Sequence, residues 1–151
     1  VTGVQTCALP ISALNKNGCP LCQTTGEDVL FTNDLYRIIA VNDPAWPGFC
    51  RIILNRHEAE MTDLPIEHRS ALMEAVCVVE SALRKLMQPT KINLASLGNV
   101  VPHLHWHVIP RWADDTHFPD PIWAPVRRAD APMRQQPDRA ALVQEITHDL
   151  T

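Results

Sequence analysis

Three histidines at strict two-residue spacing, His103-Leu104-His105-Trp106-His107, constrain this chain more than any other feature. On a helix, positions i, i+2 and i+4 scatter around the axis. On a strand they share one face, with neighbours about 6–7 Å apart. The run therefore predicts a strand over His103 to Ile109, stopped by Pro110, with the imidazoles on one side and Leu104, Trp106 and Val108 on the other. An imidazole row beside the Gly98-Asn99 turn suits phosphate chemistry. Neutral imidazole can attack phosphorus, and protonated imidazole can stabilise an oxyanion or protonate a leaving group. The bland reading is a polar surface strand, and the large apolar residues between the histidines argue against it. A zinc hydrolase is a rival, because two histidines at i and i+2 on a strand can share a metal. That rival expects an acidic ligand nearby, and no Asp or Glu lies within the run.

The flanking sequence supplies the frame. Leu35 to Val41 and Phe49 to Leu54 read as an antiparallel pair of strands around a proline-containing loop, Asn42 to Gly48. Leu72, Val76, Val79, Leu83 and Leu86 form one apolar stripe at helical period. Thr62 or Asp63 is the expected cap of that helix, Pro65 suits its first turn, and Pro89 ends it. Lys91 to Ser96 reads as a further strand, and Asp138 to Leu150 as a terminal helix. Strands before and after one long helix predict an α+β domain with an antiparallel sheet.

The chain has 151 residues, enough for one domain with a real core. No apolar run approaches the ~20 residues that span a bilayer, so no membrane association is expected. A net charge of −4 leaves no basic footprint for nucleic acid, so a small anionic substrate must be held by local donors. The prolines gather at and beyond Pro102, which predicts an extended, loop-rich C-terminal third. Residues 1–11 resemble the translation of a sequencing-library adapter, and the first Met is Met61. The expectation is a truncated reading frame with an artefactual start, and 1–11 are set aside from the fold.

Cys50 and Cys77 sit in apolar patterns and read as small buried hydrophobes. Cys19-Pro20-Leu21-Cys22 has the two-residue gap that lets two thiolates reach one tetrahedral metal. A redox pair fits less well, because such a motif opens a helix after a strand and this one lies in a turn-rich arm. An unliganded pair is the remaining alternative. His68, His117 and His148 have no motif context and are expected at the surface.

Pro102-His103-Leu104-His105-Trp106-His107-Val108-Ile109-Pro110-Arg111 resembles the His-φ-His-φ-His-φ-φ signature of the histidine-triad (HIT) superfamily. The resemblance extends over most of Gly18 to Arg111. It implies a HIT-like fold: a sheet of about five antiparallel strands, one long helix and a C-terminal helix, pairing into a homodimer. The domain would span 12–151, with a core at about 18–111 and a Pro-rich extension over 112–151.

By resemblance, His105 is the nucleophile that attacks the α-phosphate, and a backbone carbonyl near His103 holds its tautomer. His107 contacts the phosphate and helps the leaving group. Asn99 stands where the family often has a phosphate-contacting Gln, and this loop is one residue shorter than in common members. Asn93 resembles an Asn that supports the phosphate site. Asp43 stands where an acidic residue bonds the ribose, and a turn-initiating Asp before Pro44 is an equal reading. The resemblance also implies a structural zinc on Cys19, Cys22, His57 and His103, which removes His103 from the chemistry. Trp112 and Trp123 are open between stacking on a base and packing at an interface. Arg111 is open between meeting a phosphate and being solvated.

The implied activity is that of a cytoplasmic enzyme similar to bacterial dinucleoside polyphosphate hydrolases, with no organic cofactor. It would cleave adenine nucleotide derivatives through a nucleotidyl-histidine. A phosphoramidate or aminoacyl-adenylate hydrolase is the alternative substrate class. A nucleotide-binding sensor with vestigial catalysis is the alternative of another kind.

Overall fold

The computed structural model describes residues 18–151, and the adapter-like segment 1–11 lies outside them. Five strands and two α-helices follow in order: β1 (Asp28–Thr32), β2 (Tyr36–Ala40), β3 (Cys50–Leu54), α1 (Ile66–Met87), β4 (Lys91–Ala95), β5 (His105–Arg111) and α2 (Arg139–Leu150). The strands form one antiparallel sheet in the order β1-β2-β3-β5-β4. This is the α+β arrangement expected, with a first strand that the sequence reading did not assign. A register shift between Val29 and Phe31 interrupts β1, so the alternation that announces a strand is broken there.

The histidine strand starts and ends two residues later than expected, over His105–Arg111 instead of His103 to Ile109. Pro110 does not stop it. β3 pairs with β5 only as far as Cys50 opposite Val108, whereas β4 continues to Lys91 opposite Arg111. At Pro110 the strand has lost its β3 neighbour, so a missing N–H there costs no ladder bond.

The helix boundary also differs. Thr62 and Asp63 belong to a short 3-10 turn, Met61–Asp63, and make no side-chain cap. Pro65 precedes the first helical residue, and its carbonyl accepts from the N–H groups of His68 and Arg69. At the far end Gln88 adopts a left-handed conformation, φ 50°, and Pro89 follows. Asp138 caps α2, accepting from the Ala141 N–H at 2.8 Å.

Alternation sorts the sheet into two faces. Ile38, Cys50, Ile52, Leu54, Leu104 and Val108 pack against Leu72, Val76, Val79 and Leu83 of α1, with Leu142 and Ile146 of α2 completing the core. Trp106 packs on this helix side, away from the histidines, as expected. Cys77 is exposed, contrary to expectation, because it follows Val76 by one residue and so turns about 100° off the buried stripe. Among the described residues no helix is long and apolar enough to cross a membrane.

The opposite face carries His105, His107, Ile109 and Arg111, and it is roofed by the loop before β3 and by the segment after β5. Arg111 is buried, neither solvated nor free for a phosphate. Its Nε and Nη2 donate to the Asp115 carboxylate at 2.7 and 2.9 Å, its Nη1 donates to Asn93 Oδ1 at 2.7 Å, and Trp46 and Phe118 flank the guanidinium. Gly48, at φ 79°, lets the end of the loop before β3 pack against α1: a Cβ there would clash with Met87 Sδ and lie 3.1 Å from Pro110 Cγ.

The Asp115 carboxylate also accepts from the His117 and Phe118 N–H groups, which anchors the start of the roof. Burial would raise this carboxyl above its ordinary 3.8, but the Arg111 and backbone donors overcome it and hold the group at about 2. A depressed carboxylate stabilises the fold above its ordinary titration, and the contribution is lost as pH falls towards 2. Asp115→Asn leaves the Arg111 charge buried without a counter-charge, an expected loss of about 3–5 kcal/mol by urea unfolding at pH 7. Between pH 4 and 2 the gap between wild type and variant should narrow; a gap that stays constant over that range contradicts the assignment.

Candidate active site and metal cluster

The two ends of the histidine run have different surroundings. His103 is fully buried at the mouth of β5. Its Nε2–H donates to the Leu54 carbonyl at 2.6 Å, which assigns the ring's tautomer, because a carbonyl only accepts. The Nδ1 lone pair then points at Cys19 Sγ, 3.3 Å away, and Cys22 Sγ, 3.5 Å away. His57 Nδ1 lies 3.3 Å from Cys22 Sγ. Ligand atoms of Cys19, Cys22, His57 and His103 all fall within 4.8 Å of one another, and the four residues could hold a metal ion.

The spacing fits a tetrahedral centre. Bonds of about 2.3 Å to sulfur and 2.0 Å to nitrogen at tetrahedral angles separate S from N by about 3.5 Å. Two thiolates and two imidazoles are also the donor set that a borderline-soft divalent ion prefers. The Cys arm itself is strapped to the sheet by Arg37 of β2, which donates to both oxygens of Glu27 at 2.6 and 2.7 Å and to the Leu21 carbonyl at 2.8 Å. Sequence reasoning passed over this strap, although an arginine inside the apolar strand Tyr36–Ala40 was its signal.

His105 and His107 sit further along β5 with rings 4.7 Å apart. His105 Nδ1–H donates to the His103 carbonyl at 2.6 Å, as the resemblance implied. The neutral ring is thus left with its lone pair on Nε2. Burial pushes this imidazole below its ordinary range, against the hydrogen bond to His103, and the Arg51 charge adds to the lowering. His107 is flanked by Phe49 at 5.5 Å and Trp123 at 5.2 Å, and its buried Nδ1 has no hydrogen-bond partner among the described residues. Burial, then the neighbouring His105 and Arg51, bring His107 down to about 4.

The remaining candidates are spread around this row. Asn93 lies on β4 with its Oδ1 taken by Arg111, which leaves its amide N–H groups to donate. Together with Ile109, Ile122 and Trp123 it lines a cavity of about 560 Å³. Asn99 is exposed in the loop between β4 and β5, a loop tied to the histidine strand by Ser96 Oγ donating to the His105 carbonyl at 2.8 Å. Asp43 Oδ1 accepts from the Ala45 N–H at 2.9 Å, the turn-initiating role. Trp123 covers His107, while Trp112 lies under the Arg134 guanidinium at 4.6 Å. His148 is exposed, but His117 is half-buried, stacked edge-on against Trp46. Arg51 was missed altogether: it sits directly across from His107 on β3.

Comparison with known proteins puts this arrangement in a family. The HIT domain model matches residues 23–114, and the chain belongs to that family. A histidine triad protein from Bradyrhizobium japonicum superposes with a TM-score of 0.62 at 25% identity, covering 82% of this chain and 92% of that one. A zinc-bound histidine triad family protein from Mycobacterium smegmatis has the same fold, with a TM-score of 0.56 at 19% identity over 88% and 93% of the two chains. An AP-4-A phosphorylase from Mycobacterium tuberculosis is 31% identical over 81 residues, half of this chain and 42% of that protein.

The aromatic packing around His107 yields a direct check. Its ring should titrate in a histidine NMR experiment with a midpoint near 4 instead of the ordinary 6.5. Trp123→Ala opens the ring to water and should raise the midpoint. A wild-type midpoint at 6.5 would mean that the ring is not enclosed as described.

Proposed function

We propose that this protein is a nucleotide hydrolase or transferase that acts at the α-phosphate of adenine nucleotide derivatives, diadenosine polyphosphates foremost. One observation carries the reading: His105 is held neutral, with Nδ1–H committed to the His103 carbonyl and Nε2 left as a nucleophile. The likeness of half the chain to an AP-4-A phosphorylase supports the substrate class.

In this reading the Nε2 lone pair forms an N–P bond as the bond from the α-phosphorus to the leaving group breaks. The leaving group departs with that electron pair. Water or another acceptor then attacks the same phosphorus, the N–P pair returns to His105, and the acceptor's proton passes to solvent. The net hydrolysis consumes one water and releases a nucleoside monophosphate. His107 contacts the phosphate and helps the leaving group depart. The Asn93 amide and Asn99 supply neutral donors to the phosphate, and the second carboxylate oxygen of Asp43 is assigned to the ribose.

The same reading puts a structural zinc on Cys19, Cys22, His57 and His103. The S-to-N distances support it, as does the zinc in the Mycobacterium smegmatis relative. When bound, the ion would hold the N-terminal arm against the start of β5 without touching substrate. A homodimer belongs to the reading as well: β4 is an open edge strand, with Leu94 and Leu97 exposed beside it.

Two experiments test these assignments. His105→Asn should lower kcat for diadenosine tetraphosphate by at least about 10³-fold, while adenosine monophosphate still binds. Wild type quenched in acid-free denaturant during turnover should carry an adenylyl group on His105; near-wild-type rates in the variant remove the nucleophile assignment. Separately, Cys19→Ser with Cys22→Ser should reduce zinc from about one per chain to near zero and lower the melting temperature. Wild-type protein that is metal-free yet fully stable speaks against the zinc.

A further inference from the structure

Three arginines lie on the histidine face of the sheet: Arg37, Arg51 and Arg111. Their placement follows from register, since Arg37 stands opposite Ile53, Ile53 opposite His105, and Arg51 opposite His107. Two of the three are closed. Arg37 is held by both oxygens of Glu27, and Arg111 by both oxygens of Asp115. Arg51 has no carboxylate partner among the described residues. Its Nε is buried and makes no hydrogen bond, and its guanidinium rests 5.3 Å from the centre of the Phe49 ring. Burial lowers its affinity for its own proton, a sign that the charge has lost water without gaining a counter-ion.

A half-desolvated guanidinium beside a reactive imidazole pair is expensive to keep unless an anion joins it during function. The pairing opposite His107 says which anion. A phosphate at His105 that is followed by a second phosphate on the β3 side of the row brings that second group to Arg51. The β4 side of the same row offers Ala95 opposite His107, which carries no charge.

We infer that Arg51 binds the anionic leaving group and sets the specificity of this site for nucleotides whose α-phosphate is followed by further phosphates. The inference rests on the nucleotide-hydrolase reading above. A leaving amine or a neutral acyl group makes no use of the guanidinium, whereas a phosphate chain is met by a planar, bidentate donor. Arg51 is thus a specificity-determining residue. The nucleophile and the α-phosphate donors are common to both substrate classes, and the guanidinium separates them.

The test uses the full chain as Arg51→Met and Arg51→Lys, compared by thermal melting to establish folding. The readout is the ratio of kcat/KM for diadenosine tetraphosphate to kcat/KM for adenosine phosphoramidate. Arg51→Met should lower this ratio at least about tenfold, and Arg51→Lys, which keeps the charge but loses the fork, should fall between. A ratio unchanged in both variants, or equal losses on the two substrates, overturns the assignment. Inorganic tripolyphosphate, titrated calorimetrically, reads the same site without turnover: its Kd should weaken at least about fivefold in Arg51→Met. If the wild type turns over no nucleotide but tripolyphosphate still depends on Arg51, the hydrolase reading fails and the anion site stands. If turnover is present and neither the ratio nor the tripolyphosphate Kd moves, the reverse holds.

Discussion

Residue 103 is committed on three sides, and the site is assembled around that commitment. Its ring N–H holds the Leu54 carbonyl at the end of β3, its ring lone pair faces the two cysteines, and its own carbonyl receives the His105 N–H. One residue thereby couples the N-terminal arm, the end of β3 and the tautomer of His105. The last contact is made by the main chain, and the first two depend on the ring. Only imidazole offers a donor and an acceptor on opposite edges of one rigid ring. The consequence runs along the strand, because fixing which nitrogen of His105 bears the proton also fixes where its lone pair points.

Charge on the histidine face is arranged by the same logic of commitment. Glu27 and Asp115 each close one arginine, and both pairs fasten irregular chain to the sheet. These are structural uses of a strong ion pair, buried enough that solvent does not dissolve them. Between them His105 and His107 are kept neutral by enclosure. The face therefore has fixed charge at its ends, neutral nitrogen in its middle, and one guanidinium beside it that no carboxylate among the described residues closes.

Much of this was legible in the sequence, because the strongest signals are periodic. Period two put the three histidines on one face and Trp106 on the other. The four-three stepping of Leu72, Val76, Val79 and Leu83 announced the buried stripe of α1. The signals that failed were local features overridden by tertiary context. Pro110 reads as a strand breaker, yet its neighbour strand had already ended. Thr62 and Asp63 have the chemistry of a cap but sit in a turn that stops before the helix begins. The bulge in β1 erased the alternation that would have revealed it. Arg111 illustrates a deeper limit: its burial depends on Asp115, four residues on and across a bend, together with Asn93 and Trp46. No linear pattern encodes that meeting. Arg51 did leave a trace, a single charge within the apolar run Phe49 to Leu54, and its meaning required the register of β3 against β5.

The segment that roofs the histidine face contains no helix or strand between β5 and α2, yet it is pinned at both ends. Arg111 grips Asp115 near its start. Near its finish the Gln136 side chain accepts from the Gly48 N–H and donates to the Asp43 carbonyl. Trp123 lies between these anchors, half exposed above His107. A span fastened this way is held in place by its ends. Its middle can change length or side chains at small entropic cost, since closure entropy grows only slowly with loop length. Substitution there can therefore reshape the cavity while leaving the two imidazoles where they are. The lining of the cavity and the placement of His105 and His107 thereby become separately variable traits of one chain.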